Sequence, residues 1–245
     1  MKPSKLNTST RFIETVISVA VVVLVCIVAI HTESAHDVDT RTNGTHDYSV
    51  SLLPSIPLTD SVPTPKDTVA TTERSRIQQI AIGASIIRGV RKSIDDEFAA
   101  KLASILYDES ERHSSVDYAF LLAIIDAESK FNKDAVSPAG AVGLGQLMPR
   151  TAESIAKKSG IAFDAALLKD PAYNVKLSVR YLTRLHKVFH DETLVAAAYN
   201  GGPGGARKYK RWIDGEADKN TVHKETLSYV DKVMTRYNSY RTMLQ

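Results

Sequence analysis

The chain has 245 residues and a formal charge of +3, with 43% apolar and 24% charged residues. This is an ordinary globular composition, with room for one domain plus appendages. Three basic residues and one acidic residue precede residue 31, which leaves 28 basic and 27 acidic residues in the remainder. That near-neutral balance argues against a body built mainly for nucleic acid. Cys26 is the only cysteine, so an intrachain disulfide is excluded.

The first predicted element is an apolar run from Phe12 to Ile30, which follows the polar and basic residues 1–11. Its length is close to the roughly 20 residues that a helix needs to cross a bilayer. Because the basic side comes first, the run predicts a transmembrane signal-anchor over 12–30, with 1–11 in the cytoplasm. A cleavable signal peptide is the main alternative, although the exit IHTESAHD offers no convincing small-x-small site. A buried core helix is a third interpretation.

Residues 31–72 change character, because four prolines crowd together among Ser, Thr and Asp. Too little apolar surface exists there to offset chain entropy, so this stretch is predicted to be a disordered periplasmic tether. Residues 73–92 follow as a lead-in helical segment, since apolar residues between Arg74 and Arg91 recur at helical spacing. This segment could pack on the domain or bind a partner, and the spacing favours the first interpretation.

The compact body is predicted over 93–245, with Ser93 as the cap of its first helix. No stretch alternates cleanly enough to predict a strand, so the fold class is all-α. The predicted helices cover residues 93–110, 116–129, 149–159, 170–189, 194–199 and 224–240.

Glu128 lies near the end of the apolar helix 116–129. The residues three, four and seven positions before it are Ile125, Ile124 and Leu121, so its side chain should follow the buried stripe. Burial penalises the charged form of a carboxyl and raises its pKa, which suits a general acid near neutral pH. Alternatively, Glu128 ends the helix in solvent or pairs with a nearby lysine.

Asp126 is the neighbouring carboxylate, and Lys130 follows it by four positions. That arrangement is typical of a solvated helix face. Helical spacing therefore favours Glu128 over Asp126 as the working carboxylate.

Seven of the 12 glycines fall in two clusters, 140–145 and 201–205. Glycine permits positive φ and a close backbone approach to a ligand. Neither cluster has the G-K-[ST] of a phosphate loop. Each cluster alone could equally be a tight turn between helices.

Four motifs occur in a fixed order, and together they are specific. They are Glu128-Ser129, then GLGQLMP at 143–149, then AYNGGP at 198–203, and then Glu225-Thr226 with Tyr229-Val230. In this order the chain resembles the SLT-type lytic transglycosylases of the goose-type-lysozyme-like superfamily. The resemblance covers residues 98–240, nearly the whole predicted body.

The resemblance implies a lysozyme-like helical domain that cleaves the MurNAc–GlcNAc β-1,4 bond of peptidoglycan without water, leaving a 1,6-anhydromuramoyl end. Glu128 matches the single catalytic residue, which acts first as acid and then as base. No metal or other cofactor is implied. The matching positions for substrate binding are Ser137, Gln146, Tyr199, Asn200, Glu225 and Tyr229.

Three positions depart from the family pattern. Gly145 stands where many members have Met, Gly202 where Ala is common, and Ser178 where a helix Gly is frequent. None of these changes removes a group that proton transfer needs.

Two other functions remain open on the same fold: a hydrolytic lysozyme, and an inactive glycan-binding scaffold of a secretion or envelope machine. The expected location is the bacterial inner membrane, single-pass, with the catalytic domain in the periplasm. Expected partners are peptidoglycan glycan strands, the membrane through the N-terminal helix, and an envelope-spanning secretion or transfer apparatus. The basic segment 207–212 reads as a solvated edge favouring anionic wall polymer rather than nucleic acid.

Overall fold

The computed structural model describes residues 65–245, which lie within one compact unit. This part of the chain is helical, with no strand beyond isolated bridges in the loop 136–147, so the all-α prediction is confirmed for it. Two short 3₁₀ helices accompany the α-helices, at Ala165–Lys169 and Lys219–Thr221. The α-helices are α1 (Pro65–Val90), α2 (Asp96–Glu111), α3 (Tyr118–Ser129), α4 (Pro149–Lys158), α5 (Pro171–Phe189), α6 (Glu192–Ile213) and α7 (Lys224–Leu244).

The predicted anchor at 12–30 and its flanking segment 1–11 lie outside the described residues. Within 65–245, no helix combines the length and the apolar character needed to cross a bilayer.

Helix α3 runs through the centre of the body and packs against α7, α2 and α1. Every residue from Tyr118 to Asp126 is buried, so this helix is enclosed on all sides. The Asp117 carboxylate caps its start by accepting a hydrogen bond from the Phe120 amide at 3.0 Å. Its C-terminal cap is Lys130, whose left-handed backbone (φ 50) ends the helix just after Glu128.

Helix α1 begins at Pro65, so it includes the last eight residues of the predicted tether, which is a correction to that boundary. Its C-terminal half joins the core through Ile86 and the fully buried Ile87. The lead-in segment is therefore a helix of the domain, as the favoured interpretation held. Helix α2 is capped by Asp95 rather than by the predicted Ser93, since the Asp95 carboxylate accepts from the Phe98 amide at 2.7 Å.

Helix α6 is longer than the short apolar segment predicted at 194–199. It is two helical pieces joined at Gly202, whose φ of 68 and ψ of 175 are not helical. Pro203 follows at the start of the second piece, where a proline is tolerated because its missing amide has no helical partner.

The prediction that Asp126 faces solvent is wrong. Its side chain is buried, with a relative exposure of 2%, and it accepts hydrogen bonds from Arg236 Nε and from the Tyr240 hydroxyl at 2.6 Å. Both donors lie on α7, more than 100 residues away in sequence. The local spacing to Lys130 could not reveal a partner so distant, and α7 covers the face that the spacing assigned to water.

We expect Asp126→Asn to lower the free energy of unfolding by about 2–3 kcal/mol, because the change weakens a buried ion pair and leaves Arg236 without its countercharge. Urea denaturation would measure the loss. Asp134→Asn is the matched control, since that carboxylate is exposed and pairs only with its neighbour Lys133. The control should lie within about 0.5 kcal/mol of the parent protein. Equal stability of the two variants would contradict the structural role of Asp126.

Candidate active site

Glu128 lies partly buried at the end of α3, and the Tyr229 hydroxyl of α7 donates a hydrogen bond to its Oε1 at 2.7 Å. Burial raises the pKa of Glu128 to about 7. The Tyr229 hydrogen bond and the positive charge of Lys232 act in the opposite direction, and the negative charge of Glu225 adds to the rise. With a pKa of about 7, both protonation states of the carboxyl are populated near neutral pH. This suits a group that first gives a proton and then accepts one.

Tyr229 is itself buried, with a relative exposure of 6%. Burial and the adjacent Glu128 charge raise its pKa well above the ordinary value for tyrosine, so its hydroxyl keeps its proton and stays a donor. The Lys232 ammonium lies 5.9 Å from the centre of the Tyr229 ring, on the exposed side of α7. It is a group that the sequence did not single out, since nothing in the local pattern distinguishes it from other surface lysines.

Tyr199 connects α6 to the glycine loop. Its hydroxyl donates to the Gly145 carbonyl at 2.8 Å, and its ring packs against Tyr181 with centroids 5.3 Å apart. Burial raises the pKa of Tyr199, with a further contribution from the charge of Glu128. Tyr199 therefore holds the glycine loop near the Glu128 carboxylate.

Asn174, fully buried on α5, fixes the shape of the glycine loop from behind. Its Oδ1 accepts from the Gly145 amide at 2.8 Å, and its Nδ2 donates to the carbonyls of Val142 and Leu168. Gly143 has a φ of 80, and a Cβ there would overlap the Asn174 amide and the Leu168 carbonyl. Only glycine fits at Gly143, on grounds of both backbone conformation and space.

Gln146 has left-handed backbone, with φ 46. Its side-chain Nε2 donates to the carbonyls of Ala135 at 3.2 Å and Gly143 at 2.9 Å. The Gln146 amide, which the resemblance assigns to substrate binding, therefore also stabilises the glycine loop.

The remaining predicted site residues take different positions. Asn200 is half-buried, and its Oδ1 accepts from the Thr226 hydroxyl at 3.0 Å, which joins α6 to α7. The Glu225 side chain is 73% exposed and influences Glu128 by charge rather than by a hydrogen bond. Ser137 Oγ accepts from the Ala141 amide at 3.0 Å and so shapes the turn before the glycine loop.

Among residues 65–245, no group of three or more His, Cys, Asp or Glu side chains is arranged to hold a metal ion.

Two of the three departures from the family pattern are in contact. A Cβ on Gly145 would overlap the hydroxyl of Ser178 on α5 and would lie 2.8 Å from the Tyr199 hydroxyl. Ser178 is fully buried, so it has no room to move aside. Gly145 is thus required by its neighbour Ser178 rather than by its own backbone angles.

We expect Gly145→Ala to lower the free energy of unfolding by about 1–3 kcal/mol, since the added methyl overpacks a closed site. Ser178→Gly removes the overlapping hydroxyl, so it should suppress part of that loss. A double-mutant cycle by urea denaturation should give a coupling of about 1 kcal/mol. Additive effects of the two changes would show that the overlap is relieved elsewhere.

The fold and the site define a helical domain of the lysozyme type, in which the Tyr229 hydroxyl holds the Glu128 carboxyl near the glycine loop and burial raises the pKa of that carboxyl. Residues 105–222 match the family model described as the transglycosylase SLT domain. Residues 105–222 therefore form a transglycosylase SLT domain.

Relatives agree with this assignment. The soluble lytic murein transglycosylase of Salmonella typhimurium is 31% identical over 143 residues, which is 55% of this chain and 22% of that protein. The membrane-bound lytic murein transglycosylase C of Shigella sonnei is 32% identical over 146 residues, 54% of this chain and 40% of that protein. The matched part of the chain thus spans less than half the length of either relative.

Solved structures show the same fold. An inactive variant of the lytic transglycosylase Slt from Pseudomonas aeruginosa superposes with a TM-score of 0.52 at 28% identity, covering 68% of this chain and 30% of that one. The 70 kDa soluble lytic transglycosylase from Escherichia coli gives 0.52 at 27% identity, covering 71% of this chain and 31% of that one.

Proposed function

We propose that this protein is a peptidoglycan lytic transglycosylase, which cleaves the MurNAc–GlcNAc β-1,4 bond and leaves a 1,6-anhydromuramoyl end. The observation that carries the proposal is the partly buried Glu128 carboxyl, with a pKa of about 7 and a hydrogen bond from the Tyr229 hydroxyl. The domain family and the names of the relatives support the same activity.

In the first step, protonated Glu128 gives its proton to the glycosidic oxygen as the bond from that oxygen to muramoyl C1 breaks. The departing GlcNAc keeps that oxygen as a free 4-hydroxyl. In the second step, the 6-hydroxyl oxygen of the same muramoyl sugar bonds to C1 while the Glu128 carboxylate takes the hydroxyl proton. Glu128 is thereby restored and no water is consumed. Tyr229 stabilises the carboxylate between the two steps by donating to Oε1.

One carboxyl suffices because the second nucleophile is part of the substrate. Most glycosidases instead need a pair of carboxylates that flank the bond. Asp126, two residues before Glu128, is occupied by Arg236 and Tyr240 on the far side of α3 and is closed off from solvent. Asp126 is therefore not available as the second carboxylate of a hydrolase.

We propose that Tyr199, Asn200, Gln146, Ser137 and Glu225 border the glycan cleft. Asn200 and Glu225 line a groove beside the site, while Tyr199 fixes the glycine loop. Ser137 and Gln146 hydrogen-bond to the backbone of the glycine loop. The loop conformation that they stabilise would therefore also set their contacts with the sugar.

We further propose that this is a single-pass inner-membrane protein with its catalytic domain in the periplasm. In this proposal it opens the wall locally for an envelope-spanning apparatus. The motivation is the apolar run 12–30 behind basic residues, together with the tether. Protease added to spheroplasts should digest residues 65–245. Full protection would count against this location, and crosslinking that recovers no such apparatus would count against the partner.

The deciding experiment incubates the purified 245-residue chain, in mild detergent, with isolated sacculi and analyses the soluble products by mass spectrometry. Anhydromuropeptides are expected, each lighter by one water than its hydrolytic counterpart. Products with only reducing ends would indicate a lysozyme. Sacculus binding without soluble products would indicate a glycan-binding scaffold.

A further inference from the structure

Lys232 lies on α7, the helix that packs against α3. Its Nζ donates a long hydrogen bond of 3.5 Å to the carbonyl oxygen of Ala127, the residue directly before Glu128. The same ammonium lies 5.9 Å from the centre of the Tyr229 ring. One side chain of α7 therefore contacts both the backbone next to Glu128 and the tyrosine that donates to the Glu128 carboxyl.

The Ala127 carbonyl is one of the last carbonyls of α3, which have no amide partner inside the helix. The amide of the capping residue Lys130 turns back to the Asp126 carbonyl, so the next carbonyl along remains open to another donor. The last turn of α3 contains no basic residue of its own. Lys232 thus supplies, from another helix, the positive charge that stabilises the carbonyl end of a helix.

The charge of Lys232 is not cancelled by a neighbouring acid. Arg236, one turn further along α7, forms an ion pair with Asp126. Lys232 forms no ion pair with any carboxylate of residues 65–245. Its ammonium instead faces two groups of negative potential, the carbonyl end of α3 and the face of the Tyr229 ring.

The other charged and titratable groups around Glu128 come from α6 and α7. On α7, the Tyr229 hydroxyl and the Lys232 charge favour the ionised carboxyl, and the exposed Glu225 opposes them. On α6, burial raises the pKa of Tyr199, so this neighbour stays a neutral hydroxyl. Among the described residues, Lys232 is therefore the one cation that acts on the carboxyl.

We propose that Lys232 is a positioning residue for the cleavage reaction, which holds Tyr229 against the end of α3 and stabilises the Glu128 carboxylate that forms after the first proton transfer. The inference rests on the proposed function. A desolvated carboxyl is a weak acid, because the charge that it leaves behind is poorly solvated. A cation held beside the buried pair offsets part of that cost. Lys232 therefore acts through Tyr229 and Glu128 rather than on the sugar.

The test measures cleavage of isolated sacculi by the 245-residue chain across a pH series. Lys232→Met removes the charge and keeps an unbranched apolar stem against the Tyr229 ring. Its maximum rate should fall about three- to fivefold, the range for the loss of an exposed charge interaction. Its alkaline limb should move up by about 0.5 pH, because Glu128 keeps its proton to higher pH. Lys232→Arg retains the charge and should retain the parent profile.

Arg241→Met is the matched control. The Arg241 guanidinium lies 5.2 Å from the centre of the Tyr237 ring, so the same helix carries a second cation over a tyrosine. The control should keep both the parent rate and the parent limb. A parent profile in Lys232→Met would overturn the inference, and so would a limb that moves equally in Lys232→Arg or in the control. A lower rate with an unmoved limb would reduce Lys232 to a packing contact.

Failure of the proposed function would look different, since the parent protein would then release no anhydro product at any pH. NMR titration of the ¹³C-labelled carboxyl of Glu128, assigned with the Glu128→Gln variant, tests Lys232 without turnover. The pKa of Glu128 should be about 0.5 higher in Lys232→Met than in the parent, and unchanged in Arg241→Met. Equal values in Lys232→Met and the parent would overturn the inference.

Discussion

Glu128→Gln should reduce the release of anhydromuropeptides from sacculi by about a thousandfold. The amide cannot donate a proton to the glycosidic oxygen or accept one from the 6-hydroxyl, and positioned acid–base catalysis contributes about 10²–10⁴ in rate. Initial rates by chromatography and mass spectrometry would measure the loss. Glu153→Gln, at an exposed position of α4, is the control and should retain the parent rate.

The same variant should be more stable than the parent at alkaline pH. The pKa of Glu128 is about 7 in the fold against 4.5 for a solvated glutamate. The folded state therefore holds the proton more tightly, and stability falls as pH rises from about 4.5 to about 7. That difference corresponds to about 3 kcal/mol at pH 8, which the neutral glutamine does not lose. Gln Oε1 can still accept from the Tyr229 hydroxyl.

Stability and activity should thus change in opposite directions. Urea denaturation of the Glu128→Gln variant should show a gain at pH 8 that disappears near pH 4.5. A variant that is inactive and also unstable at pH 8 would show only that the fold had failed. Full activity of a stable variant would remove Glu128 from the mechanism.

The sequence was a sound guide where a property depends on neighbours along one helix. The three apolar residues before Glu128 predicted a desolvated carboxylate, and burial does raise its pKa. The predicted helices 149–159 and 170–189 start at Pro149 and at Asp170-Pro171, and α4 and α5 begin at Pro149 and Pro171. In each case the signal and the structure that it predicts lie within a turn or two.

The sequence was a poor guide where the partner is distant. Asp126 was assigned to solvent from its spacing to Lys130, but its partners Arg236 and Tyr240 come from α7. The buried amide of Asn174, which holds the glycine loop, likewise acts across 29 residues. Helical periodicity carries no information on which helix covers a given face, so the docking of α7 on α3 could not be predicted from it.

The glycine loop shows how one position can look anomalous in sequence and be required in space. Gly145 and Ser178 were two separate departures from the family pattern, 33 residues apart. The fold places the Ser178 hydroxyl where a Cβ of residue 145 would lie. The two departures are therefore one packing arrangement, which changes neither the Glu128 carboxyl nor the Tyr229 hydroxyl.

Tyr229→Phe should lower the rate by about tenfold to a hundredfold, because a hydrogen bond to a charged group contributes about 1.5–3 kcal/mol. In the parent protein the Tyr229 hydroxyl stabilises the Glu128 carboxylate, which forms when Glu128 gives up its proton. Tyr237→Phe, on the same helix and also buried, is the matched control and should change the rate little. Rates on sacculi across a pH series would measure both variants.

The pH dependence separates electrostatics from packing in that comparison. The first step needs protonated Glu128, so activity should fall as pH rises through about 7. The Tyr229 hydroxyl lowers the pKa of Glu128, and without it the pKa rises further under the influence of burial. The alkaline limb of the Tyr229→Phe profile should therefore move to higher pH while the maximum rate falls. A lower rate with an unmoved limb would mean that Tyr229 contributes only by packing, and that the carboxyl owes its proton affinity to its surroundings on α3.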